Sequence, residues 1–458
     1  MEDKNLLNIL FICSPSIGLM DAWSPVLLKL RQEYPSASIS TLFPRKQIAS
    51  QLDTSTTVVK LVEPVIDSFI IQDLTRGVLY SCKTIDKAKE IDNALHVKYR
   101  ASRRSLTYLP KTLANYVHST FMRNKQKEFR VKDQNSFFKK FDAVFYDVYE
   151  HSKKYNHHIL SRLSHVPKFS INHGLKPRFI VSQKNYDEDS LPADRKKTIA
   201  FLNADHEKDS YVQRFGVPRQ NSIVTGVQRH DPAYIHYFLQ SKSEQKKGGA
   251  LFDDDYIFLI SRPGDTPLQP LERIKKSIRT IRHVAYDLLN VKIVVKLHPK
   301  EIKQSYYSEI LGEKEYGEKW MFSNAHPFTI GRHCLFAVSY YSGVAVDLIA
   351  LDIPTIELLD LRGIHKYDEL NKLRNKKGDP VLNYRYHGLV LGSSTKEEFI
   401  HQVKRVMNHR EEVMKELRAA YEKMYHSPEQ SIDHSIEAIL KRTRASKSGT
   451  RRRKELAI

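Results

Sequence analysis

VKIVVKL at residues 291–297 stops abruptly at His298-Pro299. Further along, CLFAVS at 334–339 stops at Tyr340-Tyr341-Ser342-Gly343, and apolar residues return at helical spacing from Val344 to Leu351. Short β-branched runs of this kind read as parallel strands buried on both faces. Strand, small-residue turn, helix is an arrangement suited to phosphate, because unpaired main-chain N–H groups and the positive end of the dipole meet at a helix start. Ser342 and Gly343 stand at such a start, and His298 stands at a strand end. Leu351-Asp352-Ile353-Pro354 closes the helix, and Thr355-Ile356-Glu357-Leu358 begins another strand. The stretch predicts an α/β domain that holds a phosphorylated nucleotide at its strand ends.

Working outward, YIFLIS at 256–261 predicts a further strand of this domain, and Arg262 and Thr266 follow it at the cleft floor. An arginine there can hold a diphosphate bidentately, or it can be structural. A helix is expected from Leu271 to Leu289, and a basic loop containing Arg362, His365 and Tyr367 is expected to lie over the cleft. Glu397 to Tyr425 predicts a charged helix, within C-terminal helices over 396–440 that cross back to the first domain. The like-charge tail at 441–458 predicts disorder, or a tether to an anionic membrane. The polar segment 241–250 reads as the linker between a first domain at 1–240 and a second at 251–395.

The first domain opens with LNILFIC at 7–13, the loop Ser14 to Gly18, a helix from Ala22 to Tyr34 and a strand at Ser38 to Phe43. That is a right-handed βαβ unit. One glycine in the loop is too few for a dinucleotide fingerprint. Residues 95–140 interrupt the alternation with many Lys and Arg interleaved with Tyr108, Tyr116, Phe121 and Phe129, which suits either a membrane surface or a solvated helical excursion. Strands resume at 142–148 and at Lys168 to Ile171, and the latter ends in Asn172-His173-Gly174-Leu175. His173 is thereby placed at the carboxyl end of a sheet, either as a functional imidazole or as a surface histidine in a turn. A strand from Thr198 to Leu202 and another from Asn221 to Thr225 follow, the second closing on Gly226 ahead of Arg229 and Asp231.

With these residues in view, the chain resembles GT-B glycosyltransferases, and among them the CDP-glycerol glycerophosphotransferases and capsule polysaccharide transferases. The resemblance is carried by His298-Pro299, Ser342-Gly343 with Asp347, Ala350-Leu351 with Pro354, His173-Gly174, and Phe215-Gly216-Val217 followed by Ile223-Val224-Thr225-Gly226, Arg229 and Asp231. Gly343 stands where that family carries Ser or Thr, and Asn172 stands where it carries Trp. The resemblance implies two Rossmann-like doubly wound domains facing a cleft, with a basic helical excursion in the first. It implies His173 as general base, His298, Ser342, Gly343 and Asp347 as donor contacts beside Arg262 and Thr266 of the strand-end reading, and Arg229 and Asp231 in the interdomain cleft.

Composition sets outer bounds. The chain of 458 residues is 41% hydrophobic and 28% charged, which suits two globular domains. Its 74 Lys and Arg against 53 Asp and Glu give +21, a field that draws polyanions or simply a basic, solvated surface. No nucleic-acid signature accompanies the charge, so nucleic acid is set aside as a partner. Cys13, Cys82 and Cys334 lack metal-ligand spacing and read as reduced core residues of a cytoplasmic protein. No apolar run reaches membrane-spanning length and no signal peptide is read, which leaves a peripheral position on the inner membrane face open. No cofactor is expected. No Asp-x-Asp ends a strand, and Asp253-Asp254-Asp255 precedes one and reads as a solvated turn, so metal dependence is not implied.

The leading functional expectation is a transferase moving a sugar or polyol phosphate from a CMP-, CDP- or UDP-activated donor to a saccharide or lipid-linked acceptor in surface polysaccharide synthesis. A UDP-N-acetylglucosamine 2-epimerase-like isomerase and a catalytically silent scaffold binding anionic polymer or membrane are the alternatives.

Overall fold

The computed structural model describes residues 7–13, 18–44, 52, 56–73, 78–95, 126–147, 159–171, 174–175, 195–241, 252, 254–264, 266, 269–298, 301, 305–364 and 373–455, with side chains to 446. Two sheets organise them. The first comprises β1 (Asn8–Ile12), β2 (Ser38–Phe43), β3 (Ser68–Asp73), β4 (Val78–Cys82), β5 (Ala143–Tyr146), β6 (Lys168–Ile171), β7 (Thr198–Leu202) and β8 (Ser222–Val224). Their order is β4-β3-β2-β1-β5-β6-β7-β8. All pairs are parallel except β3 with β4, an antiparallel edge. The second sheet comprises β9 (Tyr256–Ile260), β10 (Lys292–Lys296), β11 (Trp320–Phe322), β12 (Phe336–Ser339), β13 (Thr355–Leu358) and β14 (Leu391–Ser393). It is wholly parallel, in the order β11-β10-β9-β12-β13-β14.

Burial explains why the central strands are apolar on both faces. Every residue of β9, β12 and β13 is buried, as helices covering both sides of a parallel sheet require. In the first domain the helix Gly18–Glu33 drives Trp23 onto the sheet, where its indole stacks on Phe145 at 4.3 Å and donates to the Tyr146 carbonyl at 3.3 Å. The helix Pro232–Gln240 is started by Asp231, whose carboxylate accepts from the Ala233 N–H at 3.0 Å, with Pro232 at the first helical position. Tyr234 of that helix shares a 2.6 Å hydrogen bond with Ser24 and so ties it to the first helix.

The C-terminal helices return to the first domain. Helices Lys396–Asn408 and Arg410–Met424 pack on the second core, and Ile432, Ile436 and Ile439 of the helix Ser431–Glu455 enter the first. Where the chain crosses, Gly226 at φ +82° lies so close to Ser427 that an added Cβ would sit 2.5 Å from its carbonyl oxygen.

Several expectations change. The tail predicted to be disordered from 441 is helical to Glu455. The helix is anchored by the three isoleucines ahead of the tail and by buried Thr443, and the Lys- and Arg-rich sequence then continues a helix it would not nucleate alone. The charged helix over 397–425 is two helices that break at His409, where ψ is 42°. The helix over 271–289 widens into a π-helix at His283–Leu289. Most of the basic excursion at 95–140 lies outside the described residues. Of its aromatic residues, Phe129 packs against the first core with Lys87 over its ring at 4.8 Å. Asp254 pairs with Lys292 at 2.8 Å in a turn ahead of β9. Among the described residues no helix is long and apolar enough to cross a membrane.

Candidate functional site

In the second sheet the strand order reverses between β9 and β12, so the loops leaving these strands diverge and open a crevice at their carboxyl ends. Arg262 leaves β9 and the turn Tyr340–Gly343 leaves β12. They are joined: Arg262 Nε donates to the Tyr341 carbonyl at 2.6 Å, and the guanidinium lies 5.3 Å from the centre of the Tyr341 ring. Tyr341 has φ 83°, a conformation that costs a bulky side chain on the order of 1–3 kcal/mol and persists only when its surroundings enforce it. Thr266 belongs to a tight turn closed by Gln269, whose main-chain N–H reaches the Thr266 carbonyl at 3.0 Å and whose side chain donates to the Tyr340 carbonyl. Ser342 Oγ accepts from the Val344 N–H at 3.3 Å. The helix after it spans only Val344–Ile349, so Arg262 outweighs the helix dipole as a source of positive charge at this turn.

His298 is half-buried at the carboxyl end of β10, the strand beside β9. Glu357, near the end of β13, was not singled out from the sequence. It is 2% exposed, no hydrogen bond reaches its carboxyl among the described residues, and burial pushes it up to about 7 against the pull of Arg385 and Arg262. A lone carboxylate between Ile356 and Leu358 in a strand read as buried was the available signal.

His173 lies outside the described residues, but Gly174 and Leu175 do not. Leu175, from the first domain, is 2% exposed and packs in the core of the second. The Tyr384 hydroxyl donates to its carbonyl at 2.7 Å. A Cβ on Gly343 would lie 3.3 Å from that hydroxyl and 3.8 Å from the Leu175 nitrogen. The segment that follows β6 therefore meets the Ser342-Gly343 turn across the cleft.

Asp347 and Arg229 are brought together elsewhere, without the Asp231 carboxylate. Asp231 is the helix cap described above. Arg229 grips Asp347 with two bonds, Nε to Oδ1 at 2.7 Å and Nη2 to Oδ2 at 3.3 Å. His230 Nε2 meets the same Oδ1 at 2.8 Å, and its Nδ1 meets the Tyr421 hydroxyl at 2.8 Å. Burial holds the His230 imidazole below its usual pKa despite Asp347. A neutral ring whose Nε2 faces the Asp347 carboxyl oxygen carries its proton there, and Tyr421 then donates to Nδ1. On the first-domain side, Asp21 lies 3.9 Å from Arg229 and 3.1 Å from His326 Nε2. His326 Nδ1 accepts from the Phe328 N–H at 3.1 Å, which leaves Nε2–H to donate to Asp21. Burial opposes ionisation of Asp21, yet His326, Arg229 and His230 keep its pKa below the ordinary carboxylate value. These residues form an interdomain latch, and Asp347 faces Arg229 and His230 within it.

Among the described residues no group of three or more His, Cys, Asp or Glu side chains could hold a metal ion. A groove lined by Asp254, Tyr286, Asn290, Lys292 and Lys319 lies at the opposite, amino-terminal ends of β9 and β10. Its two lysines are already engaged, Lys292 by Asp254 at 2.8 Å and Lys319 by the Tyr286 ring at 5.4 Å.

No protein-family model matches the chain, and no curated protein matches it in sequence. Solved structures do match its shape. The UDP-GlcNAc 2-epimerase from Neisseria meningitidis, bound to UDP-GlcNAc, is 14% identical with a TM-score of 0.53, over 95% of this chain and 100% of that one. A variant of the wall teichoic acid polymerase TagF is 11% identical with a TM-score of 0.54, over 96% of this chain and 90% of that one. At these identities the likeness is one of architecture: the chain has the GT-B fold, two Rossmann-like domains facing a cleft.

Proposed function

We propose that the chain is a GT-B transferase that moves a sugar or polyol phosphate from a cytidine- or uridine-nucleotide donor to a saccharide or lipid-linked acceptor. One observation carries the reading. Gly174-Leu175, directly after His173 in sequence, is clamped against the Ser342-Gly343 turn, which supports a reading in which an acceptor-side imidazole works opposite a donor-side phosphate turn. In this reading Arg262, His298 and Ser342 stabilise the charge that develops on the leaving nucleotide. Thr266 and Gly343 shape the turns around it. Glu357, buried and without a hydrogen-bond donor among the described residues, suits a pair of hydroxyls on the nucleotide. His173 takes the proton of the acceptor hydroxyl as the new bond forms. Asp347 is paired with Arg229 and His230 rather than presented to the donor, and in this reading that pairing holds the two domains at a fixed angle while Asp231 caps the helix Pro232–Gln240 beside it. Neutralisation is assigned to side chains rather than to a metal. The excess of basic residues suits a position at an anionic membrane surface, where a lipid-linked acceptor would be found.

The test begins with calorimetric titration of CMP, CDP and UDP, followed by incubation with the corresponding activated donors. Nucleotide release that depends on an added acceptor supports the reading. Epimerised sugar formed without any acceptor replaces it with an isomerase, and failure to bind any of the three nucleotides removes it.

A further inference from the structure

Below the crevice lies a second buried carboxyl that the proposed chemistry does not use. Glu301, 9% exposed, follows His298 and accepts hydrogen bonds from the hydroxyls of Ser261 and Tyr306. It also accepts from the main chain of His298, and its own N–H returns a 2.8 Å bond to the His298 carbonyl. Tyr307 donates to Ser261 Oγ at 2.7 Å, which turns the serine proton toward Glu301. Ser261 immediately precedes Arg262, while Tyr306 and Tyr307 open the helix Ser305–Leu311. One carboxyl is thus the shared acceptor for three segments: the loop leaving β9, the loop leaving β10 and the helix after it. Carboxylate chemistry suits the position, because two oxygens accept several donors, whereas an amide would turn N–H groups toward hydroxyl protons.

We propose that Glu301 is a positioning residue of the donor site, tying the β9 and β10 loops together so that Arg262 and His298 bear on the same phosphate group. The inference rests on the donor reading given above, but its physical content, a fixed His298, can be measured without a donor. In Glu301→Gln, CDP or UDP should bind about tenfold more weakly, a change of about 1.4 kcal/mol. Tyr306→Phe, which keeps the carboxyl and removes one donor, should show a smaller loss of the same kind and guards against a misfolded glutamine variant.

A double-mutant cycle separates positioning from general destabilisation. If Glu301 acts through His298, then Glu301→Gln in a His298→Ala background should weaken binding by less than twofold. Losses that add in full, or unchanged affinity in folded Glu301→Gln, overturn the proposal. Should neither CDP nor UDP bind the native chain, the donor reading falls and the arbiter becomes the His298 imidazole followed by NMR. A changed chemical shift and broadened line in Glu301→Gln support the positioning role, and a signal identical to that of the native chain overturns it.

Discussion

The latch around Asp347 buries its charges between the domains, whereas the crevice around Arg262 leaves its arginine half-buried, and the two are finished differently. In the latch each ionic group finds its complement inside the protein: Asp347 in Arg229 and His230, Asp21 in His326, and His230 Nδ1 in Tyr421. In the crevice, Arg262 gives Nε to Tyr341 while its two terminal nitrogens make no hydrogen bond among the described residues, and the Glu357 carboxyl has none either. Buried polar groups are nearly always satisfied, so an internally complete cluster reads as architecture, while half-buried cationic nitrogens that point at no protein acceptor among the described residues suit an anionic ligand. That contrast assigns stability to the first region and binding to the second.

The severest test falls on the residue the crevice serves. His173→Ala should leave nucleotide affinity intact while turnover falls about 10²–10⁴-fold, the usual contribution of a positioned general base. Titration of the purified variant with CDP and UDP, beside a steady-state assay, checks both halves. Retention of more than about a tenth of native turnover would sink the assignment.

In the latch the expected loss is of stability. Among the described residues, Asp347→Ala leaves buried Arg229 with only the longer contact to Asp21, and breaking such a pair costs about 3–5 kcal/mol. Chemical denaturation reads this directly. If stability is unchanged but nucleotide binding collapses, the two regions have been assigned the wrong way round.

Glu357 sharpens the contrast through pH. Its carboxyl rises from 4.5 to about 7 on burial, so between these values the folded state holds a proton that the unfolded state has released. The stability this group contributes is therefore complete below the unfolded value and is lost as pH rises through about 7. Glu357→Gln should flatten that fall by at most about 3 kcal/mol, since each tenfold change in proton affinity is worth about 1.4 kcal/mol. The slope will not vanish, because Glu207, also raised to about 7 by burial, adds its own share in the same window. Denaturation midpoints at pH 5 and pH 8 for both proteins decide it, and parallel curves would show that Glu357 is already ionised in the folded chain.

For the cations of the crevice, His298→Ala and Arg262→Ala should each weaken nucleotide binding by about 1.5–3 kcal/mol, the value of a hydrogen bond to a charged group. His298→Ala should leave the melting temperature within a few degrees, because a half-buried strand-end side chain contributes little packing. Arg262→Ala should also relax the Tyr341 turn. Equal affinities in calorimetry would take either residue out of the site.

How much of this was legible in the chain follows the same divide. The strands Ser38–Phe43, Lys168–Ile171, Thr198–Leu202 and Thr355–Leu358 fall where their apolar runs place them, because burial on both faces writes itself into local sequence. The short edge strands Trp320–Phe322 and Leu391–Ser393 carry too few residues for a pattern to emerge. Phosphate-type residues at strand ends were legible as types, since Arg262, His298 and Ser342 follow clear strands. What could not be read was pairing. Asp347 lies 118 positions from Arg229, and nothing local distinguishes a carboxylate that meets a donor from one that meets an arginine. Glu301 and Glu357 are hidden for the same reason, because their burial is decided by elements distant in sequence.

The smallest expected effect lies where the two regions touch. Tyr384 holds the first domain's Leu175 against the second by a single neutral hydrogen bond, so Tyr384→Phe should cost about 0.5–1.5 kcal/mol of stability. Burial keeps the phenol protonated at every working pH, so it serves as a fixed donor and its removal should add no pH dependence. If the clamp positions His173, kcat should fall several-fold while nucleotide affinity holds; a purely structural contact predicts lower stability and unchanged kcat. Gly343 supplies the cross-check. Gly343→Ala places a methyl group 3.3 Å from the Tyr384 hydroxyl, closer than ordinary packing, and the hydroxyl must give way. Ala at 343 should therefore be tolerated better in the Tyr384→Phe background than in the native chain. Additive losses would instead mean that the turn and the clamp are independent, and that the acceptor segment is held by Leu175 packing alone.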